Sequence, residues 1–209
     1  MKNRPLSQLE RRVIDLSYHN ELTHISSCLT AVDLIDNVYK SKKDNDIFIL
    51  SSGHAAVALY AVLEKYYFKD AQKLFDKHGT HPNRDMDNKI YCSSGSLGQA
   101  ISIAVGAAIA DRNRDVYVLL SDGECSEGSV WEALRIAGEL RLENLRIVVN
   151  GNGTGAYKGI DVDLLDQRLQ MFYPTLVART HLLDYPSWLQ GYHGHYVKLD
   201  KEKYEELVS

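Results

Sequence analysis

The segment from Asp115 to Val149 constrains the fold more than any other part of the chain. "DVYVLL" is a short apolar run with the composition of a buried strand. "GSVWEALRIAGELRL" follows with Val130, Ala133, Leu134 and Ala137 on one helical face, and "NLRIVV" is a second buried strand. Two apolar strands joined through an amphipathic helix form a βαβ unit, which makes the strands parallel. A parallel sheet is apolar on both faces and needs helices on each, so the expected class is α/β, a parallel sheet covered on both faces.

The remaining segments extend that unit. Leu6 to Ser17 and Thr30 to Lys40 carry apolar residues near helical spacing, and "IFILSS", Ile47 to Ser52, reads as a further buried strand leading into the helix "AAVALYAVLEKYY". "SLGQAISIAVGAAIA" is apolar nearly all round and rich in small residues, as expected of a helix packed tightly on a sheet. "PTLVART", Pro174 to Thr180, reads as one more strand and "DKEKYEELV" as a charged terminal helix. Neither a repeat nor a Pro/Gly-rich linker interrupts the chain, and 44% hydrophobic content in 209 residues suits one sizeable core. Residues 1–209 are therefore expected to form a single domain.

Several classes of function are excluded by composition. A net charge of -4 offers no basic field for nucleic acid, and "KSKK" at Lys40 to Lys43 is a short solvated loop. Cys28, Cys92 and Cys125 form no CxxC pair and leave one thiol over in any disulfide scheme, so free thiols in a reducing cytoplasm are expected. The opening "MKNRPLSQLERRVIDL" spreads its charges and reads as no signal peptide. The longest apolar run, Ile101 to Ala110, is far short of the roughly 20 residues of a membrane span. A soluble protein that engages neither membrane nor nucleic acid is expected.

Ligands of such sheets bind beyond the carboxyl ends of the strands. Asp122 falls two residues after "DVYVLL", and "NGNGTGAY" follows directly on "NLRIVV", which brings Asn152 beside Asp122 across 30 residues of sequence. A carboxylate, an amide oxygen and a backbone carbonyl are hard ligands suited to octahedral magnesium, and Gly123, Gly151 and Gly153 let backbone approach a diphosphate closely. An Asp-Gly pair alone is more often a turn than a metal site; the placement of the two loops together reverses that and points to a metal-diphosphate clamp. "GNGTGAYKG" has the wrong glycine spacing for a dinucleotide loop, and no Walker lysine motif is present.

With "LTHISSCLTAVDL", "SSGHAAVALYAVL", "HGTHPN", "SGSLGQAISIAVGAAIA" and "SDGECSEG" followed by "NGNGT" in this order, the chain resembles the N-terminal, diphosphate-binding half of a transketolase, as found in split enzymes carried on two subunits. The resemblance implies a thiamine diphosphate-binding fold of the PP type, with thiamine diphosphate and Mg2+ (or Ca2+) as cofactors. By resemblance, Asp122, Asn152 and the Thr154 carbonyl bind metal, and His54, Gly123 and Asn152 lie at the diphosphate. Gly95, Ser96 and Leu97 would face the aminopyrimidine ring, while His24 and His81 are the catalytic candidates facing substrate. Glu127 is either a helix N-terminal acid favoured by the macrodipole or a group at the contact between chains beside the cofactor. His193 resembles a further family histidine only weakly, and with His195 adjacent it also reads as a plain polar surface residue.

The implied activity is transfer of a two-carbon ketol unit from a ketose to an aldose, on sugars or sugar phosphates. The glutamate that activates the pyrimidine ring would come from a C-terminal partner subunit, giving an assembly of two copies of each chain, with self-association of the isolated chain through an exposed apolar patch. A deoxyxylulose-type carboligase and a degenerate, non-catalytic module that binds cofactor or partner are the alternatives. The chain also departs from the family pattern. Ser121 stands where the family has a glycine, Ile25 follows His24, the domain is shortened after about residue 161 where the family has another strand and helix, and "RTHLLDYPSWLQGYHG" lacks the family's lysine-glycine loop.

Overall fold

The protein is described by a computed structural model covering residues 4–155 and 158–209, so the last two residues of "NGNGTGAY" lie outside the described residues. Four strands, β1 (Ile47–Leu50), β2 (Val116–Ser121), β3 (Leu145–Gly151) and β4 (Thr175–Arg179), form a parallel sheet in the order β1-β2-β3-β4. Around it lie α1 (Gln8–His19), α2 (Ile25–Ser41), α3 (Ala56–Tyr67), α4 (Ala71–His78), α5 (Ala100–Ala110), α6 (Gly128–Glu139), α7 (Val162–Gln170), α8 (Gly191–His195) and α9 (Lys201–Val208).

The alternation of side chains along each strand divides the interior in two. Phe48, Leu50, Leu119 and Val148 pack with α1, α2 and α3, while Ile49, Val118, Leu120, Ile147, Val149 and Val177 pack with α5, α6 and α7. Both faces of the sheet are thus covered, as the apolar strands require. The face expected for α6 is the buried one: Val130, Ala133, Leu134 and Ala137 are at most 3% exposed.

Two segments differ from their sequence reading. The small-residue helix begins at Ala100, leaving Ser96 to Gln99 as loop, and it is buried on one side only: Ile101, Ala104, Val105 and Ala108 meet the sheet while Ile103 and Ile109 are exposed. The stretch after Asp161 holds α7, which was not visible in the sequence because its two buried residues, Leu165 and Leu169, stand among Asp, Gln and Arg. Asp161 caps it by accepting the Leu164 N–H at 2.9 Å. One helix therefore carries the chain from β3 to β4, and β3 pairs directly with β4.

The chain then returns to where it began. The His24 N–H donates to the His195 carbonyl at 2.9 Å, and the Tyr204 ring of α9 stacks on Tyr18 of α1 with centroids 4.3 Å apart. Tyr204 also donates its hydroxyl to Asp15 at 2.8 Å. Among the described residues no helix is long and apolar enough to cross a membrane, and all three cysteines are free and buried.

Candidate cofactor and substrate site

The carboxyl ends of β1, β2 and β3 open into a pocket of about 340 Å³. Its lining includes His24, His54, His81, Gly95, Leu97, Asp122, Gly123, Glu127, Asn152 and Thr154. Of the residues singled out in the sequence, Ser96, Gly151, Gly153 and His193 are not in its lining; Ser96 is exposed on the adjoining loop. A larger groove of about 730 Å³ lies between α2 and the β3–β4 edge, lined by Leu34, Tyr117, Val148 and Leu176, but it gathers none of these groups.

Register accounts for the meeting of the two loops. Ser121 pairs with Asn150 across β2 and β3, and the Asp122 N–H continues the ladder by donating to the Asn150 carbonyl at 3.1 Å. The Asp122 carboxylate then accepts the Gly153 N–H at 2.6 Å and the Gly123 N–H at 2.9 Å. Asn152 Oδ1 accepts the Thr154 N–H at 2.9 Å. Asp122 is 1% exposed and faces no counter-charge among these bonds, so burial pushes its carboxyl up to about 6, against the pull of the two glycine N–H groups. Each of these oxygens keeps a lone pair. A buried, under-compensated carboxylate beside an amide oxygen is a donor set that fits a hard divalent cation.

Ser121 needs no glycine substitute. It ends β2 in ordinary extended backbone, and its hydroxyl accepts the Glu124 N–H at 3.2 Å. Tighter constraints fall on other glycines. Gly98 has φ +78°, and a Cβ there would lie 2.4 Å from Ser129 Oγ and 2.7 Å from Glu127 Cβ. Gly98→Ala is expected to destabilise the chain by about 2 kcal/mol, whereas Gly106→Ala on the open side of α5 is expected to stabilise it by about 0.5–1 kcal/mol. Denaturant titration of the two variants checks both signs.

Histidines form the opposite wall. His24 Nδ1 and His195 Nε2 are 2.7 Å apart, and the His54 ring lies 5.4 Å from His24 and 5.7 Å from His195 between centroids. His195 Nδ1 also approaches Ser27 Oγ at 3.3 Å. Burial, and then the neighbouring imidazoles, hold His24 down at about 4 and His54 at about 3, while burial alone lowers His195. All three rings are therefore neutral at pH 7, each with one N–H donor and one acceptor nitrogen. His81 packs against Gly95, where a Cβ would come within 2.8 Å of its ring. His24 itself has φ 64°, a left-handed conformation uncommon outside glycine, at the N-cap of α2.

Two residues of this constellation were not found from sequence. His195, not the exposed His193, reaches the pocket; the pattern "HGH" gives no means of choosing between them until α8 is placed over α2. Glu124 is fully buried behind the pocket, with its carboxyl raised by burial against hydrogen bonds from Ser51 and Gly98. Glu127 by contrast is exposed at the N-cap of α6 and makes no side-chain cap.

The family model described as "Transketolase, thiamine diphosphate binding domain" matches residues 28–172. A transketolase from Mus musculus is 32% identical over 186 residues, which is 77% of this chain and 30% of that protein. One of the subunits of the apulose-4-phosphate transketolase of Phocaeicola vulgatus is 28% identical over 162 residues, 68% of this chain and 57% of that relative. Among solved structures, transketolase from Leishmania mexicana superposes with a TM-score of 0.75 at 21% identity, covering 95% of this chain and 39% of that one. The chain thus spans less than half the length of the mouse and Leishmania proteins.

Proposed function

Because the chain belongs to the transketolase family of thiamine diphosphate-binding domains, we propose that it is the diphosphate-binding subunit of a transketolase that moves a two-carbon ketol unit from a ketose to an aldose. The observation that carries this reading is the joining of two loops across adjacent parallel strands, with Asp122 bonded to Gly153 opposite a wall of neutral histidines. The two-chain organisation is supported by the Phocaeicola vulgatus relative, which is named as one subunit of its transketolase, and by the match to less than half of the mouse and Leishmania proteins.

Thiamine diphosphate, when bound, supplies the carbon centre that stabilises the ketol fragment. The chain's own residues bind, orient and move protons. Asp122, Asn152 Oδ1 and the Thr154 carbonyl would hold Mg2+ (or Ca2+), which would supply positive charge against the diphosphate. His54 and Gly123 contact its oxygens, His54 as a neutral N–H donor. Gly95, Ser96 and Leu97 line the ring pocket, and the missing Cβ of Gly95 leaves room for His81. His24 and His81 face the sugar hydroxyls. The close pair of His24 and His195 shares one proton between two nitrogens, so a proton accepted at one imidazole is passed to its neighbour without either ring turning.

The pyrimidine-side carboxylate comes from a C-terminal partner chain, and the assembly is two copies of each of the two chains. The test is an assay of ketol transfer with thiamine diphosphate, magnesium and a panel of ketose and aldose phosphates, with this chain alone and with the C-terminal half. Turnover only in the mixture supports the reading. Turnover by the lone chain overturns its dependence on a partner, and cofactor binding by the mixture without turnover favours the non-catalytic module.

A further inference from the structure

Glu124 lies two residues past Asp122, in the 3-10 turn Gly123–Ser126, and is 0% exposed. Its Oε1 accepts the Ser51 hydroxyl at 2.5 Å and the Gly98 N–H at 2.7 Å. Its Oε2 is buried and has no hydrogen-bond partner among the described residues. Burying a carboxyl with one oxygen unpaired is costly, so its location carries information.

The partners of Oε1 come from different walls of the pocket. Ser51 follows β1 and leads into the turn Gly53–Ala55 that bears His54. Gly98 closes the Gly95–Leu97 loop, and its carbonyl accepts the Ser129 hydroxyl at 2.8 Å from the far side. Glu124's own turn bears Asp122 and Gly123. The first two walls also touch directly: a Cβ on Gly53 would sit 2.6 Å from the Gly95 nitrogen. One oxygen atom is therefore the common point of the diphosphate turn, the ring-facing loop and the His54 turn.

We propose that Glu124 is a positioning residue whose Oε1 fixes the register of these three loops, so that the ring end and the diphosphate end of the thiamine diphosphate pocket are held at one spacing. The inference rests on the thiamine diphosphate reading for its consequence and on the three hydrogen-bonded loops for its geometry. The geometry needs one acceptor oxygen, because both hydrogen bonds that join the loops fall on Oε1. Glutamine retains that acceptor at the same reach. Aspartate is one methylene short, and alanine removes the acceptor.

Amide hydrogen exchange at Gly98 is measured in the full chain for wild type, Glu124→Gln, Glu124→Asp and Glu124→Ala, with Ile35→Val in α2 as a mildly destabilised core control. Exchange is expected to quicken by about tenfold or more in the Asp and Ala variants, and to stay within about threefold of wild type in the Gln variant and the control. Thiamine diphosphate affinity, measured by calorimetry with Mg2+ in the presence of the C-terminal half, is expected to follow the same order. Wild-type exchange in the Asp and Ala variants overturns the proposal, and so does a Gln variant as fast as Asp. Should the Ala variant fail to fold, the Gln and Asp pair still decides. If the wild-type mixture binds no thiamine diphosphate, the functional reading fails while the exchange order continues to judge the register.

Discussion

Asp122→Ala is expected to weaken magnesium-dependent thiamine diphosphate binding by on the order of a thousandfold, about 4 kcal/mol. The carboxylate is the only anionic member of the proposed metal set; without it the diphosphate keeps its charge in a pocket whose other donors are neutral. The sign of the accompanying stability change separates function from folding. The Asp122 carboxyl is raised to about 6 from an ordinary 3.8, so the folded chain binds more protons than the unfolded one between those values. Stability from this group is full below about pH 4 and declines as pH rises through about 6, leaving a penalty of about 3 kcal/mol at pH 7. Asp122→Asn, which keeps an acceptor for a glycine N–H, is therefore expected to melt no lower than wild type at pH 7 while losing cofactor affinity. Calorimetric titration and thermal melts of the metal-free chain read the two effects separately. Undiminished affinity in either variant removes Asp122 from the metal set.

His24→Ala and His81→Ala are expected to lower turnover of the assembled enzyme by roughly a hundred- to ten-thousandfold, with cofactor affinity changed little. The reason is their place on the histidine wall, across from the loop that carries Asp122. His24 carries a second burden because its backbone is left-handed at φ 64°. Asparagine tolerates that conformation, so His24→Asn separates the two roles: it is expected to restore stability relative to Ala without restoring turnover. Steady-state kinetics on the donor and acceptor sugars, beside melts of the same samples, provide the check. Normal kinetics in both alanine variants would place the proton chemistry elsewhere.

The sheet was legible because its strands are apolar on both faces and separated by helices of clear period, a pattern that few folds accommodate. Asp122 and Asn152 were legible for the same reason, since strand ends locate the loops that follow them. What escaped depended on packing over long distances. Glu124 carries no local sign of burial: "GECSEG" presents two glutamates three residues apart, and the buried one is selected by contacts with Ser51 and Gly98 on other elements. His195 is brought in by a helix of five residues, too short to show a period. α7 was hidden because much of its surface is polar and only a narrow stripe is buried.

The return of the chain end to its beginning has a consequence for the order in which the molecule acquires its parts. His24 and His195 meet across 171 residues, so the histidine wall closes late, after the sheet and both of its helical layers have somewhere to stand. A nascent chain that has emerged as far as β4 already possesses the Asp122 and Asn152 loops, yet lacks the third imidazole. The contact between His24 and His195 thus forms only after residues 25–194 have been laid down between them.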